Sequence, residues 1–167
     1  MKVYTTAPLE DPRQARTIYR ELEDTGYDGG FSFEARHNPF LALAVAAEHT
    51  QRLRLGTAIA IAFARNPMTL ANLAWDLNQY SKGRFTIGLG SQIKPHITRR
   101  FSMPWSKPAA RMREFIQSMR AIWRCWELGE PLAYEGEHYR FTLMTPEFSP
   151  PASGLPPVPV TIAAVGK

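Results

Sequence analysis

The strongest constraint on the fold is a junction that occurs three times, in which a short β-like run is followed by Asp-Pro or Asn-Pro. The three pairs are Asp11-Pro12, Asn38-Pro39 and Asn66-Pro67. An Asp or Asn side chain can accept a hydrogen bond from the first free amides of a helix, and proline suits the first helical position. The sequence therefore predicts three helices that each begin soon after a strand.

The strands around these helices recur with a regular spacing. Each of the first strands and its helix together take about 25 to 30 residues, which is the length of a βαβ unit. Such alternation predicts a parallel sheet that is covered by helices. The five predicted strands are Lys2–Thr6, Gly30–Glu34, Arg54–Ile61, Arg84–Gly90 and Val158–Val165.

Apolar residues at three- and four-residue spacing support the helices, and the clearest stripe runs through Arg111–Glu127. Three glycines stand where helices should end. Glycine readily adopts the left-handed conformation that terminates a helix. These predicted terminators are Gly26, Gly83 and Gly129.

The regular alternation stops after the fourth strand. Residues 91–157 contain a loop, the predicted helix through Arg111–Glu127 and a hairpin within Ala133–Leu143. The segment Thr145–Pro159 is dense in proline, which argues against regular structure, so we expect an ordered loop, with a flexible linker as the alternative. We expect one domain over residues 1–167, with 91–157 as an insertion region within it.

Composition excludes several classes of protein. The chain is 44% hydrophobic and 21% charged, which is ordinary for a globular domain. Cys125 is the single cysteine, so an internal disulfide is excluded and a reducing compartment, the cytoplasm, is expected. The net charge is +5, but the basic residues are dispersed apart from Arg99-Arg100, so we expect no nucleic-acid partner. No apolar run has the roughly 20 residues of a membrane span, so no membrane partner is expected.

In parallel α/β folds, functional residues gather where strands end and helices begin. After the second strand stand Glu34 and His37, an acid and an imidazole that could share a proton or orient a substrate. We predict that both are catalytic. The alternative is that Glu34 pairs with Arg36 and that His37 is a solvated loop residue.

The third and fourth strands end in small residues. The run from Gly56 to Arg65 is small and apolar, so a planar ring could lie against it, although a fully buried strand has the same composition. After the fourth strand, two glycines, a hydroxyl and an amide allow close backbone approach to an anion. These residues are Gly88, Gly90, Ser91 and Gln92.

A basic segment follows these glycines. Lys94, His96 and Arg99 could hold a phosphate or an acidic cofactor tail, and a solvated basic loop is the alternative. No spacing typical of a metal site appears in the sequence, so no metal is expected. No serine or cysteine nucleophile motif appears either.

Together these junctions resemble the luciferase-like monooxygenase superfamily, and within it the coenzyme F420-dependent oxidoreductases. The resemblance implies a TIM barrel with a deazaflavin or a flavin across the C-terminal mouth, and a non-prolyl cis peptide at Ala58–Ile59 beneath the ring. It places Glu34 and His37 at the substrate, and Gly88, Gly90, Ser91 and Gln92 near the cofactor. The matching segments are Glu34–Phe40, Arg54–Thr57, Asn66-Pro67, Ser81–Gly90, Ser91–His96, Arg99–Phe101 with Trp105, Gly136–Tyr139 and Leu143–Pro146.

A complete barrel has eight strands and about 250 residues, whereas five strands are predicted here. We therefore predict an incomplete (β/α)8 barrel, truncated after the fifth strand, whose first and fifth strands are open edges. The resemblance implies hydride transfer between F420 and a small organic substrate, with FMN and a monooxygenase as the alternative. A non-catalytic half-barrel, which dimerises through its second and third helices or complements a separate C-terminal half, is the third possibility. We expect the chain alone to bind reduced F420 weakly or not at all.

Overall fold

The computed structural model describes residues 1–7 and 11–164. The chain divides into two compact units. The sheet unit consists of the described residues within Met1–Ile61, Asp76–Gly90 and Val158–Lys167. The helical unit consists of Ala62–Trp75 and Ser91–Pro157.

The sheet unit is built on a parallel sheet. The strands are β1 (Tyr4–Thr6), β2 (Gly29–Ser32), β3 (Arg54–Thr57), β4 (Ala60–Ile61), β5 (Phe85–Gly90) and, after two strands of the helical unit, β8 (Val160–Ile162). β1 pairs with β2, β2 with β3, and β5 with β3, β4 and β8, always in parallel.

Because β3 and β4 pair with successive parts of β5, they form one interrupted strand, and the sheet is effectively five strands wide. The α/β class and the incomplete barrel are thus confirmed. The predicted strand Arg54–Ile61 is broken in the middle, and Glu34 lies just after β2 rather than in it. Val165, the end of the last predicted strand, lies outside the described residues.

The predicted helix starts are confirmed. The helices are α1 (Ala15–Thr25), α2 (Pro39–His49), α3 (Pro67–Tyr80) and α4 (Pro108–Leu128), and a 3-10 turn over Pro12–Gln14 precedes α1. Asp11 accepts a hydrogen bond from the Arg13 amide at 2.9 Å, Asn38 from that of Phe40 at 2.9 Å, and Asn66 from that of Met68 at 2.8 Å. The three predicted terminators are left-handed, with φ of 94° at Gly26, 81° at Gly83 and 69° at Gly129.

Two charged side chains hold the turn between α2 and β3. The carboxylate of Glu23, which is 9% exposed, accepts hydrogen bonds from the amides of Gln51, Arg52 and Leu53. Arg84 donates to the carbonyl oxygens of Ala47, Thr50 and Leu53. Burial opposes ionisation of Glu23, but the three amide bonds outweigh it and lower the pKa of the carboxyl. Arg84, which lies in the Ser81–Gly90 segment of the family resemblance, therefore has a structural role: it stabilises this turn.

Aromatic side chains fill the helical unit. Trp75 meets Trp126 edge to face at a centroid distance of 5.5 Å. The buried guanidinium of Arg111 lies 4.4 Å from the ring centre of Phe63 and donates to the hydroxyl of Tyr139 at 2.9 Å. The predicted hairpin is confirmed as β6 (Tyr134–Glu135) and β7 (Arg140–Phe141), which pair antiparallel.

Two loop predictions have different outcomes. The basic segment is not a plain loop, because His96–Arg100 form a short π-helical turn closed by the Phe101 amide on the His96 carbonyl at 3.1 Å. The proline-rich segment is an ordered loop with one 3-10 turn at Pro146–Phe148. Glu127 accepts hydrogen bonds from the amides of Ser153 and Gly154 and so fixes that loop. Among the helices of the described residues, none is long and apolar enough to cross a bilayer.

Candidate functional site

A β-bulge marks the C-terminal part of the interrupted strand. Gly56 pairs with Thr86 in the β3–β5 register, and Ala60 pairs with Leu89 in the β4–β5 register. The interrupted strand therefore advances 60 − 56 = 4 positions while β5 advances 89 − 86 = 3. One extra residue is the definition of a bulge, a feature found often beside active sites. The peptide bond between Ala58 and Ile59 inside this bulge is cis, as the resemblance implied.

The bulge is held from the side of β2. The Ala58 amide donates to the carbonyl of Ser32 at 2.7 Å, and the Glu34 amide donates to the carbonyl of Ile59 at 3.1 Å. The Glu34 carboxylate in turn accepts a hydrogen bond from the Ile61 amide at 2.7 Å. The Ala58 side chain is exposed above these contacts. The backbone at Ala58–Ile59 is thus fixed by hydrogen bonds and carries apolar side chains.

The bulge is also held from the side of β5, where the predicted glycines lie. The Thr57 hydroxyl donates to the carbonyl of Gly88 at 2.7 Å and accepts from its amide at 2.9 Å. A Cβ on Gly88 would lie 1.9 Å from the Thr57 carbonyl oxygen, and a Cβ on Gly90 would lie 2.7 Å from the Ile59 side chain. Glycine is needed at position 88 because the backbone of Thr57 approaches β5 so closely, whereas Gly90 leaves room for the Ile59 side chain. Their contact with a cofactor stays a prediction.

An open cavity of about 990 Å³ runs along the sheet beside the bulge. Its wall includes Ala58 and Ile59 of the bulge, with residues of both edge strands and of the strands between them. The other lining residues are mostly hydroxylic, aromatic or apolar, with two basic residues among them: Tyr4, Thr5, Thr6, Phe31, Thr57, Thr86, Pro159, Thr161, Ile162 and Ala163, and the basic Lys2 and Arg54. Such a surface suits a planar, largely apolar group with a few polar edges.

The two predicted catalytic residues face different surroundings. His37 is exposed and lines a second pocket of about 240 Å³ together with Ser32, Arg36 and Asn38. Glu34 is half-buried and lines neither this pocket nor the larger cavity. Both residues follow the same strand, β2, but the Glu34 carboxylate is directed toward the bulge, where it accepts the hydrogen bond from the Ile61 amide. Their catalytic roles stay a prediction.

The remaining predicted residues belong to the helical unit. The Ser91 hydroxyl donates to the carbonyl of Gln92 at 3.1 Å, and Gln92 has a positive φ of 59°. Lys94, His96 and Arg99 are exposed, and the last two lie in the π-helical turn. The structure thus brings Glu34, Ala58, Ile59, Gly88 and Gly90 together in the sheet unit, whereas Ser91, Gln92 and the three basic residues belong to the helical unit.

Sequence reasoning missed a carboxylate that organises the hairpin. Glu114 of α4 accepts hydrogen bonds from the amides of Glu137 at 3.1 Å and His138 at 2.7 Å. These bonds, the one from His138 first, lower the pKa of the Glu114 carboxyl. The ligand atoms of Glu114, Glu137 and His138 lie within 4.8 Å of one another. No local pattern indicated this role, because the bonded residues are 23 and 24 positions away in the sequence.

The sheet has parallel strands in barrel order, helices that cover it and a bulge near the strand ends. These features place the chain among the β/α-barrel proteins, and the chain forms part of one barrel. The sequence profile of the family described as luciferase-like monooxygenase matches residues 2–167. The chain therefore belongs to the luciferase-like monooxygenase family.

Two relatives from Mycobacterium tuberculosis set the level of similarity. An uncharacterized protein is 59% identical over 146 residues, which are 87% of this chain and 43% of the relative. A protein whose provisional name is coenzyme F420-dependent oxidoreductase is 33% identical over 135 residues, 80% of this chain and 38% of the relative. The chain spans less than half the length of these curated relatives.

Two solved structures show the same fold. The coenzyme F420-dependent tetrahydromethanopterin reductase of Methanopyrus kandleri has a TM-score of 0.77 at 20% identity, and the match covers 99% of this chain and 50% of that one. The oxygenating constituent of 3,6-diketocamphane monooxygenase from Pseudomonas putida, in complex with FMN, has a TM-score of 0.72 at 20% identity, with 93% and 51% coverage. Solved structures with this fold thus include one named for coenzyme F420 and one that holds FMN.

Proposed function

We propose that this chain supplies the ring-binding half of an F420-dependent oxidoreductase, which moves a hydride between the deazaflavin and a small organic substrate. The observation that carries the proposal is the bulge at Ala58–Ile59, which is braced from β2 and β5 and borders the open cavity. Bound there, a deazaflavin would supply the ring carbon that gives or takes the hydride.

The residues around the bulge fit a planar ring. Ala58 has a side chain of a single methyl group and is exposed, so it leaves room for a ring to approach the backbone. Gly88 and Gly90 allow β5 to pack closely behind the bulge. We propose that Ala58 and Ile59 contact the ring, and that Gly88 and Gly90 support it from the far side.

Two further sets of residues complete the proposed site. His37 lines a pocket next to the N-terminus of α2, and an exposed imidazole there could orient a substrate or exchange a proton with it. The backbone of Ser91 and Gln92 and the exposed cations Lys94, His96 and Arg99 are proposed to bind the cofactor's polar or anionic part. FMN would suit the same apolar surface, and the preference for F420 rests on the segments Ser81–Gly90 and Ser91–His96 and on the relative with the F420 name.

A second candidate function rests on the open edges of the sheet. Among the described residues, β1 pairs only with β2, and β8 pairs only with β5. Unpaired strand edges readily accept further strands. We propose as the alternative that the chain is a non-catalytic half-barrel that binds a second copy or a C-terminal half.

The test uses two proteins, the 167-residue chain and a completed protein. The completed protein joins this chain to the C-terminal part of the 59% identical relative, beyond the matched region. Oxidised F420 and FMN are titrated into both while cofactor fluorescence is recorded. We expect saturable F420 binding by the completed protein, and binding at least about tenfold weaker by the chain alone, because the cavity of the chain is open.

Failure of the completed protein to bind either cofactor, while the intact relative binds one, would contradict the proposal. Tight, stoichiometric binding by the chain alone would show instead that further strands are not required. Light scattering on the chain alone tests the alternative, since a well-behaved monomer counts against the dimerising half-barrel.

A further inference from the structure

Glu34 combines three features that a group acting directly on substrate would not need. Its amide donates to the carbonyl of Ile59 at 3.1 Å, and its carboxylate accepts from the amide of Ile61 at 2.7 Å. One residue therefore holds the interrupted strand on both sides of Ala60. The side chain also lines neither the open cavity nor the pocket beside His37.

The backbone at this point depends on such a contact. The ladder between β3 and β5 ends at the pair Gly56–Thr86 and resumes only at Ala60–Leu89. On the β5 side, the residue pairs that normally align a strand are thus missing over the bulge. Ile61 is fully buried, and a buried amide that loses its acceptor is costly, so the Glu34 carboxylate stabilises the point where regular pairing returns.

We propose that Glu34 is a positioning residue, whose carboxylate fixes the backbone of residues 59–61 by accepting the Ile61 hydrogen bond. This inference rests on the proposed function only in naming that backbone as the surface beneath the ring. What the contact with Ile61 needs from Glu34 is an oxygen acceptor at the reach of a glutamate side chain. A negative charge is not required for this contact, and neither is a transferable proton.

Two conservative variants separate reach from charge. Glu34→Gln keeps an oxygen acceptor at the same distance and removes the charge. Glu34→Asp keeps the charge and shortens the side chain by one methylene, which withdraws the oxygen from the Ile61 amide. If the protection of the Ile61 amide depended on the charge or the proton of Glu34, it would survive in the aspartate variant. If it depends on the reach of the acceptor, as the positioning role requires, it survives in the glutamine variant.

The measurement is amide hydrogen exchange at Ile61 in the 167-residue chain, followed by NMR. The Ile87 amide, which donates to the carbonyl of Pro159 at 2.9 Å, is the internal control. We expect wild type and Glu34→Gln to protect Ile61 equally, and Glu34→Asp to exchange there about tenfold faster or more, with Ile87 unchanged.

Equal protection of Ile61 in the aspartate variant, or loss of protection in the glutamine variant, would overturn the proposal. No cofactor takes part in this experiment. The proposed function can therefore fail in the F420 titration while Glu34 is still shown to brace the bulge, and the reverse can also occur.

Discussion

The hydroxyl of Thr57 donates a hydrogen bond to the carbonyl oxygen of Gly88 at 2.7 Å and accepts one from the amide of the same residue at 2.9 Å. One side chain thereby satisfies both backbone groups of Gly88 across the gap that the bulge leaves in the ladder. Thr57 is 1% exposed, so water cannot easily replace it. This pair of bonds joins the bulge to β5.

Thr57→Val should destabilise the chain, because it leaves two buried backbone groups of Gly88 without their partner. We expect a loss of roughly 1–3 kcal/mol in the free energy of unfolding for each unsatisfied group. Thr57→Ser keeps the hydroxyl and should lose only the contribution of one methyl group, about 1 kcal/mol. Urea denaturation of the three proteins measures this, and equal midpoints for the valine variant and wild type would refute the bridging role.

Gly88→Ala should be far more damaging than a glycine replacement elsewhere. Its Cβ would lie 1.9 Å from the Thr57 carbonyl oxygen, which is backbone and cannot move aside cheaply. Gly26→Ala is the matched control, because nothing lies within 4 Å of the new Cβ and only the positive φ of 94° is unfavourable. We expect the control to cost about 1–2 kcal/mol and Gly88→Ala to prevent folding, as judged by soluble yield and circular dichroism. Similar behaviour of the two variants would contradict the close packing behind the bulge.

The hydrogen bonds that the Glu23 carboxylate accepts from the turn between α2 and β3 predict that stability depends on pH. The pKa of Glu23 is lowered in the folded chain from its ordinary value of 4.5, so its contribution is present above that value and is lost as the pH falls through the folded-state pKa. Glu23→Gln should therefore be clearly less stable than wild type at pH 7. The difference should shrink as the pH falls below about 4.5, in thermal or urea unfolding followed by circular dichroism. A difference that stays constant across this range would exclude the ionised carboxylate as the cause.

His37 provides a test of the proposed chemistry that is independent of stability. In the completed protein, His37→Gln should lower turnover by about a hundredfold or more if the imidazole handles a proton. The affinity for F420 should be unchanged, because His37 lines the small pocket rather than the cavity beside the bulge. Steady-state kinetics with a substrate found by screening, together with an F420 titration, separates the two effects. Unchanged turnover would remove His37 from the catalytic group.

The sequence predicted best the features that depend on contacts between residues close together in the chain. The Asp-Pro and Asn-Pro junctions indicate helix starts through contacts two residues apart, such as Asn38 to Phe40, so no knowledge of the fold was needed. The parallel direction of the strands followed from the β/α alternation.

Contacts over long sequence distances could not be predicted in this way. Nothing local to Thr57 indicates that its hydroxyl serves Gly88, which is 31 residues away, and Glu34 is linked to Ile61 over 27 residues. The cis peptide at Ala58–Ile59 was expected only through family resemblance. Several strands were predicted to extend further than they do, for a similar reason. Composition shows which residues suit a strand, but only the pairing register shows where the strand stops.

We propose above all that the bulge at Ala58–Ile59, together with β4 at Ala60–Ile61, is the surface against which a deazaflavin or flavin ring lies. Amide chemical shifts of the completed protein, recorded by NMR while F420 is added, test it most directly. We expect saturable shifts of the Ala58, Ile59, Ala60 and Ile61 amides that follow the same binding curve as cofactor fluorescence. Saturable binding that leaves these four amides unshifted, or shifts confined to the helical unit, would contradict it.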